Sequence, residues 1–248
     1  MIGIHGTELD SATASLLRQI QPGAFILFGR NIASPTQLRK LIDDLRDLSR
    51  IEPIITIDQE GGRVSRLKLI GNEPPNAQQL RQKNDLDLIR THGEITGKLL
   101  LQFGFNLDLC PVLDISFDDE ADNSLRGRCY GTSAEEVITK AGIFNEALRA
   151  TGIRSCGKHF PGYTCVPFDP HHELPVMDRP RSEMDRHELK VFSALAQKVD
   201  SMMIGHAVYR DLAPGSDLPA SLSPAIINTG LCRKGRAAAL VQPAIAIS

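Results

Sequence analysis

The chain has 248 residues, 42% of them hydrophobic and 23% charged, with a formal net charge of -2 at pH 7. That is enough apolar material for a large α/β domain, and a near-neutral balance with no basic run excludes a nucleic-acid or anionic-membrane partner. No stretch approaches the ~18 apolar residues of a membrane span, and the start, MIGIHGTELD, lacks a charged segment followed by an apolar run, so a cytoplasmic location is expected.

In chain order, Ile2 to Ile4 reads as a first strand and Leu9 to Ile20 as a helix with an apolar stripe at Leu9, Ala12, Leu16, Leu17 and Ile20. Ala24 to Phe28 is a continuous apolar run, as expected of a strand covered on both faces. Ser34, Pro35 and Gln37 supply an N-cap, a proline at the first helical position and a capping-box partner for the next helix. Ile54 to Ile57 predicts another buried strand, followed by a proline-containing loop, a helix over Leu86 to Phe103 and a strand over Asn106 to Leu113. Ser133 and Glu136 open a helix that runs to Ala150. Ile153 to Gly157, a helix from Ser182 to Lys198, and Ser201 to Ile204 complete the pattern.

Repeated strand and helix units of this length predict a parallel sheet with helices outside it. The polar clusters follow the strands: Arg30 and Asn31, Asp58 to Arg66, Asp114, Lys158 and His159, and His206. That one-sided placement favours a TIM-type (β/α) barrel, whose site is built at the C-terminal strand ends, over a doubly wound sheet. No G-x-G-x-x-G follows the first strands, so no dinucleotide cofactor is expected. The five cysteines (Cys110, Cys129, Cys156, Cys165 and Cys232) include no C-x-x-C pair and read as reduced thiols rather than as a disulfide framework or zinc site.

The densest concentration of ionisable groups is Lys158 to Pro175, KHFPGYTCVPFDPHHELP, where four prolines and a glycine prevent regular structure. Lys158 and His159 read either as a surface lysine with a satisfied core histidine or as ligand-holding groups at a strand end. Asp169 and His171 are two apart, close enough for the carboxylate to orient and raise the basicity of the imidazole. A metal bound by Asp169, His171 and His172 is the competing reading, and no H-x-x-x-H spacing supports it. Asp58 to Gly62 is a solvated turn or, with Arg63 and Arg66, a rim suited to hydroxyl groups.

KHFPG at Lys158 to Gly162, followed by D-P-H-H-E-L-P at Asp169 to Pro175, resembles the signature loop of glycoside hydrolase family 3 in its β-N-acetylglucosaminidase branch. The similarity continues through ILFGRN with Ser34-Pro35, IDQEGGRVSR at Ile57 to Arg66, CPVLDI at Cys110 to Ile115, RCYG at Arg128 to Gly131, and MMIGHAVY at Met202 to Tyr209. It spans the chain from about Phe25 to Gly230. The resemblance implies a TIM-type barrel acting on a small carbohydrate, a terminal β-linked N-acetylglucosamine of the kind found in peptidoglycan fragments. It implies substrate-binding roles for Asp58, Arg66, Arg128, Lys158 and His159, a pocket-lining role for His206, and general acid/base catalysis by His171 with Asp169 as its partner.

Two departures bear on activity. Tyr163, Thr164 and Cys165 stand where small polar residues often follow KHFPG, and Pro170 replaces a common serine. A retaining mechanism also needs a carboxylate nucleophile, which the family takes from a Ser-Asp-Asp-like segment, yet no Asp or Glu occurs beyond Asp217. The expected organisation is therefore a barrel domain over residues 1–230, incomplete at its C-terminal end, with a divergent tail over 231–248 and impaired hydrolysis. A non-catalytic amino-sugar binding protein and a glycoside phosphorylase are the alternatives. With no Trp in the chain, Tyr130, Tyr163 or Phe160 would have to supply a stacking surface for the sugar.

Overall fold

A continuous apolar run has no polar face to give to water, so it belongs in a sheet covered on both sides. The computed structural model describes residues 1–163 and 174–228, and the backbone of Ala239–Val241. In chain order its elements are β1 (Ile2–Gly3), α1 (Ser11–Ile20), β2 (Ala24–Leu27), α2 (Pro35–Leu48), β3 (Ile54–Ile57), β4 (Gln59–Gly61), β5 (Val64–Ser65), α3 (Ala77–Gln82) and α4 (Leu86–Phe103). They continue with β6 (Leu107–Asp108), α5 (Ala134–Ala150), β7 (Arg154–Phe160), β8 (Val176–Met177), α6 (Arg181–Arg186), α7 (Glu188–Leu195), β9 (Ser201–Ile204), β10 (Val208–Tyr209), α8 (Pro224–Ile227) and β11 (Ala239–Val241).

Among the described residues, β1, β2, β3, β6, β7, β9 and β11 lie side by side in that order, every pairing parallel. The sheet curls as a half-barrel. Phe25, Leu27, Ile55 and Ile57 join the main core with Leu38, Leu41, Ile42 and Leu45 of α2 and Val137, Ala141, Phe144 and Leu148 of α5. Alternate residues, Ile26, Leu107, Leu109, Cys156 and Met203, form a second apolar cluster, as the period of two in a strand requires. Cys110, Cys129 and Cys156 are free and buried, while Cys165 and Cys232 lie outside the described residues. No helix among the described residues is long and apolar enough to cross a membrane.

The α/β class and the parallel sheet agree with the sequence, and several details differ. The sheet does not stop before the tail, because β11 pairs in parallel with β9. The strand expected over Asn106 to Leu113 is regular only at Leu107–Asp108, since Pro111 has no N–H to give the ladder, although Lys158 N still donates to Pro111 O (3.2 Å) and Leu113 N to Lys158 O (2.6 Å). The helix expected from Ser182 to Lys198 breaks at His187, whose backbone (φ -117°, ψ -90°) is not helical. The loop before α4 contains α3, opened by Asn76 and Gln79 in a capping box. At α2 and α5 the cap side chains accept from Gln37 N and Glu136 N as expected, but the return bonds fall one residue earlier, from Ala33 N to Gln37 Oε1 (2.7 Å) and from Thr132 N to Glu136 Oε2 (2.8 Å).

Helices α4 and α5 pack closely because α4 carries glycine where they meet: a Cβ at Gly97 would lie 2.2 Å from Thr151 Oγ1. His92 is buried at the same seam with its ring 5.5 Å from that of Phe144, and neither ring nitrogen has a hydrogen-bond partner. Burial lowers its pKa from 6.5 to about 4. The unfolded chain therefore binds a proton here that the folded chain refuses, so stability falls as pH drops from 6.5 towards 4. His92→Phe is expected to remove on the order of 3 kcal/mol of that acid sensitivity. Urea midpoints at pH 7 and pH 4.5 check this: an unchanged difference between the two would show that His92 is not the cause.

Candidate active site

The site begins with an irregularity in β7. Cys156 pairs with Ser201 and Gly157 with Met202, but the next pairing is Phe160 with Ile204, so β7 holds one residue more than β9 over the same span. In a regular strand neighbours point to opposite faces, and an extra residue relaxes that rule. Lys158 and His159, adjacent in sequence, can then both serve the same polar cluster, while Phe160 returns to the core. The sequence reading placed these two residues just after the strand; they lie inside it.

Lys158 is 1% exposed, and its Nζ lies 2.6 Å from Asp58 Oδ1 and 2.6 Å from Glu60 Oε1. Asp58 follows β3 and Glu60 sits in β4, so the two ion pairs tie β7 to a segment that lies 100 residues earlier at Asp58. Arg128 grips Glu60 with two bonds, Nε to Oε2 at 2.8 Å and Nη2 to Oε1 at 2.7 Å, the fork geometry that makes Arg–carboxylate pairs strong. These two cations hold the Glu60 carboxyl below its ordinary pKa although burial alone would raise it. Asp58 and Glu60 likewise hold the Lys158 ammonium above its usual pKa against burial. Arg66, after β5, faces Asp58 at 3.8 Å, and its Nε has no hydrogen-bond partner.

His159 continues the cluster. Its Nδ1 is 2.7 Å from Asp114 Oδ2, which also accepts the His159 backbone N–H (3.1 Å), while Asp114 Oδ1 accepts Tyr163 N–H (2.7 Å). Burial, assisted by Arg128 and Lys158, lowers the imidazole pKa despite the pull of Asp114. The ring is then neutral at pH 7, with its proton on Nδ1 towards Asp114 and Nε2 free to accept, 3.5 Å from Arg128 Nη2. Tyr163 packs its ring against His159 (centroids 5.3 Å apart), and its hydroxyl accepts the backbone N–H of His206. The His206 Nδ1 is 2.7 Å from Ser221 Oγ.

The structure thus brings together Asp58, Arg66, Arg128, Lys158 and His159, and connects His206 through Tyr163. Asp169 and His171, and with them the competing metal reading, lie outside the described residues. Sequence reasoning left Glu60 and Asp114 out of the binding set. Their signal was position: Glu60 stands two residues after Asp58, and Asp114 closes the run CPVLDI. Tyr130 and Phe160 are fully buried and Tyr163 nearly so, so none of the three offers an open ring face to a sugar.

The two glycines after Glu60 have a steric role. Gly61 sits at φ +110°, and a Cβ there would lie 2.2 Å from the carbonyl oxygen of Pro75, so the β4–β5 hairpin can close only without a side chain. Gly61→Ala is expected to destabilise the chain by roughly 2–4 kcal/mol. It should also pull Glu60 away from Lys158 and Arg128. Thermal unfolding measures the first effect, and a shift of under 2 °C would refute it.

Residues 2–235 match the family described as the glycosyl hydrolase family 3 N terminal domain. A β-hexosaminidase of Tolumonas auensis is 33% identical over 227 residues, 90% of this chain and 66% of that protein. One of Alkalilimnicola ehrlichii is 34% identical over 230 residues, 90% of this chain and 65% of that protein. The chain therefore spans just under two thirds of the length of these relatives. The structure of a family 3 β-N-acetylglucosaminidase from Paenibacillus superposes with a TM-score of 0.88 at 33% identity, covering 98% of this chain and 47% of that one.

Proposed function

We propose that this chain, which belongs to glycosyl hydrolase family 3 through the N-terminal domain of that family, binds a terminal β-linked N-acetylglucosamine at the strand-end cluster of Asp58, Arg66, Arg128 and His159. The observation that carries the reading is the division of labour in the cluster. Lys158, Glu60 and Asp114 are buried and spend their charge on neighbours, whereas Asp58, Arg66, Arg128 and His159 keep partly exposed side chains. A sugar offers neutral hydroxyls that both donate and accept, and this surface offers a carboxylate acceptor, guanidinium donors and an imidazole acceptor in fixed positions. The names of the relatives, β-hexosaminidase and β-N-acetylglucosaminidase, supply the sugar. Three buried free thiols fit a reducing, cytoplasmic setting.

For hydrolysis we assign general acid/base catalysis to His171, oriented by Asp169. A retaining route also needs a carboxylate nucleophile. Asp58 and Glu60 are committed to Lys158 and the arginines, and Asp114 to His159 and Tyr163, so none of these site carboxylates is free to attack an anomeric carbon. Binding with little turnover is accordingly the expected behaviour of residues 1–248. Calorimetry with N-acetylglucosamine and a chromogenic β-N-acetylglucosaminide assay test this together. Binding that is lost in Arg66→Ala, with turnover near background, is the expected result. Turnover abolished by His171→Ala would replace the binding-only reading with an active hydrolase, and release of a sugar phosphate that depends on added phosphate would indicate a phosphorylase. Absence of binding would sink the proposal.

A further inference from the structure

The ladder between β7 and β9 ends in an unusual way. Phe160 pairs with Ile204, and Gly205 N then donates to Phe160 O at 2.6 Å. β9 ends at Ile204, so the amide of His206 lies beyond the ladder and takes its acceptor from a side chain. The Tyr163 hydroxyl fills that place and accepts the His206 N–H. The ring reaches it by passing over Gly205, where a Cβ would lie 3.1 Å from Tyr163 Cζ. The other end of the same residue is fixed by its N–H bond to Asp114 Oδ1 (2.7 Å) and its ring contact with His159 (5.3 Å).

We propose that Tyr163 is a positioning residue that joins the two pocket histidines into one unit, holding the His159–Asp114 pair with its amide and ring and seating His206 with its hydroxyl. The consequence for His206 rests on the reading of that side chain as facing the bound sugar. With its backbone held by Tyr163 and its Nδ1 held by Ser221 Oγ (2.7 Å), His206 has one orientation in which to present its remaining nitrogen. Tyr163 is the bulky side chain at this point of the rim. The bulk is what spans from the end of β7 to the end of β9.

Tyr163→Phe removes only the acceptor and keeps the ring and the amide bond. His206→Ala removes the imidazole and keeps the backbone N–H, so the two substitutions separate the parts. In the full chain without ligand, the Phe variant is expected to speed hydrogen exchange of the His206 amide by about tenfold and to shift the His206 ring resonances, leaving those of His159 in place. In calorimetry with N-acetylglucosamine, Tyr163→Phe should weaken binding about fivefold and the double variant should bind no more weakly than His206→Ala alone. Unchanged His206 ring resonances would overturn the proposal. Additive losses would also overturn it, because Tyr163 would then touch the sugar directly. If the unaltered chain does not bind N-acetylglucosamine, the proposed function fails, and the resonances still decide the role of Tyr163.

Discussion

Lys158→Met is expected to lower the unfolding midpoint by about 10 °C and to abolish sugar binding. The ammonium is 1% exposed and compensates two carboxylates at 2.6 Å, so its removal leaves Asp58 and Glu60 facing each other with only the arginines to oppose them. Breaking a buried pair from one side typically costs about 3–5 kcal/mol, and in a chain of this size each kcal/mol is worth roughly 2–4 °C. The pH dependence has a definite sign. The lowered Glu60 pKa contributes stability that is present above its unfolded value of 4.5 and lost as pH falls below it. The raised Lys158 pKa contributes stability present below 10.5 and lost as pH rises through the folded value. The gap between wild type and variant should therefore be widest between pH 5 and 10 and shrink below about pH 4 as the carboxyls protonate. Calorimetric melting across that range measures it, and a gap that widens in acid would contradict the assignment.

Asp114→Asn is expected to leave the chain folded while weakening N-acetylglucosamine binding on the order of 10-fold, through one lost hydrogen bond and the lost charge beside His159. The aspartate accepts three N–H bonds, two of them from His159 on Oδ2 and one from Tyr163 on Oδ1. An asparagine offers one oxygen to these three donors, so Oδ1 stays with the two N–H groups of His159 and Nδ2 is left facing the Tyr163 N–H, donor against donor. The seat of Tyr163 then loosens, and with it the ring contact to His159. Hydrogen exchange of the Tyr163 amide reports the lost bond directly. A Tyr163 amide as protected in the variant as in the wild type, with unchanged affinity, would remove Asp114 from the account.

The strands at Ile54–Ile57 and Ser201–Ile204 and the helix at Leu86–Phe103 were legible to the residue, because long apolar periodicity and caps are local signals. The residues of the strand-end cluster were legible as motifs of a family resemblance, and their partnership was not. Nothing local in Asp58, Glu60 and Arg128 says that two of them sit within 2.7 Å of each other, since that depends on which strands become neighbours. The shape of β7 was equally hidden. A glycine followed by charged residues reads as the end of a strand, whereas the strand continues because tertiary pairing with Val112 and Ile204 outweighs the local preference. The β11 pairing was missed for a similar reason: an alanine-rich tail carries little strand signal of its own.

The surplus residue in β7 has a broader implication. A strand in a curled parallel sheet normally delivers one side chain per two residues to the mouth, so the number of functional groups is limited by the number of strands. One added residue at the rim lets a single strand contribute a structural cation and a hydrogen-bonding base side by side. Removing either position would do more than delete a side chain. It would restore strict alternation and turn the surviving group, or Phe160, to the other face of the sheet. The functional capacity of the mouth is therefore set by strand phase as much as by residue identity, and a designed pocket could gain a second group per strand by the same insertion.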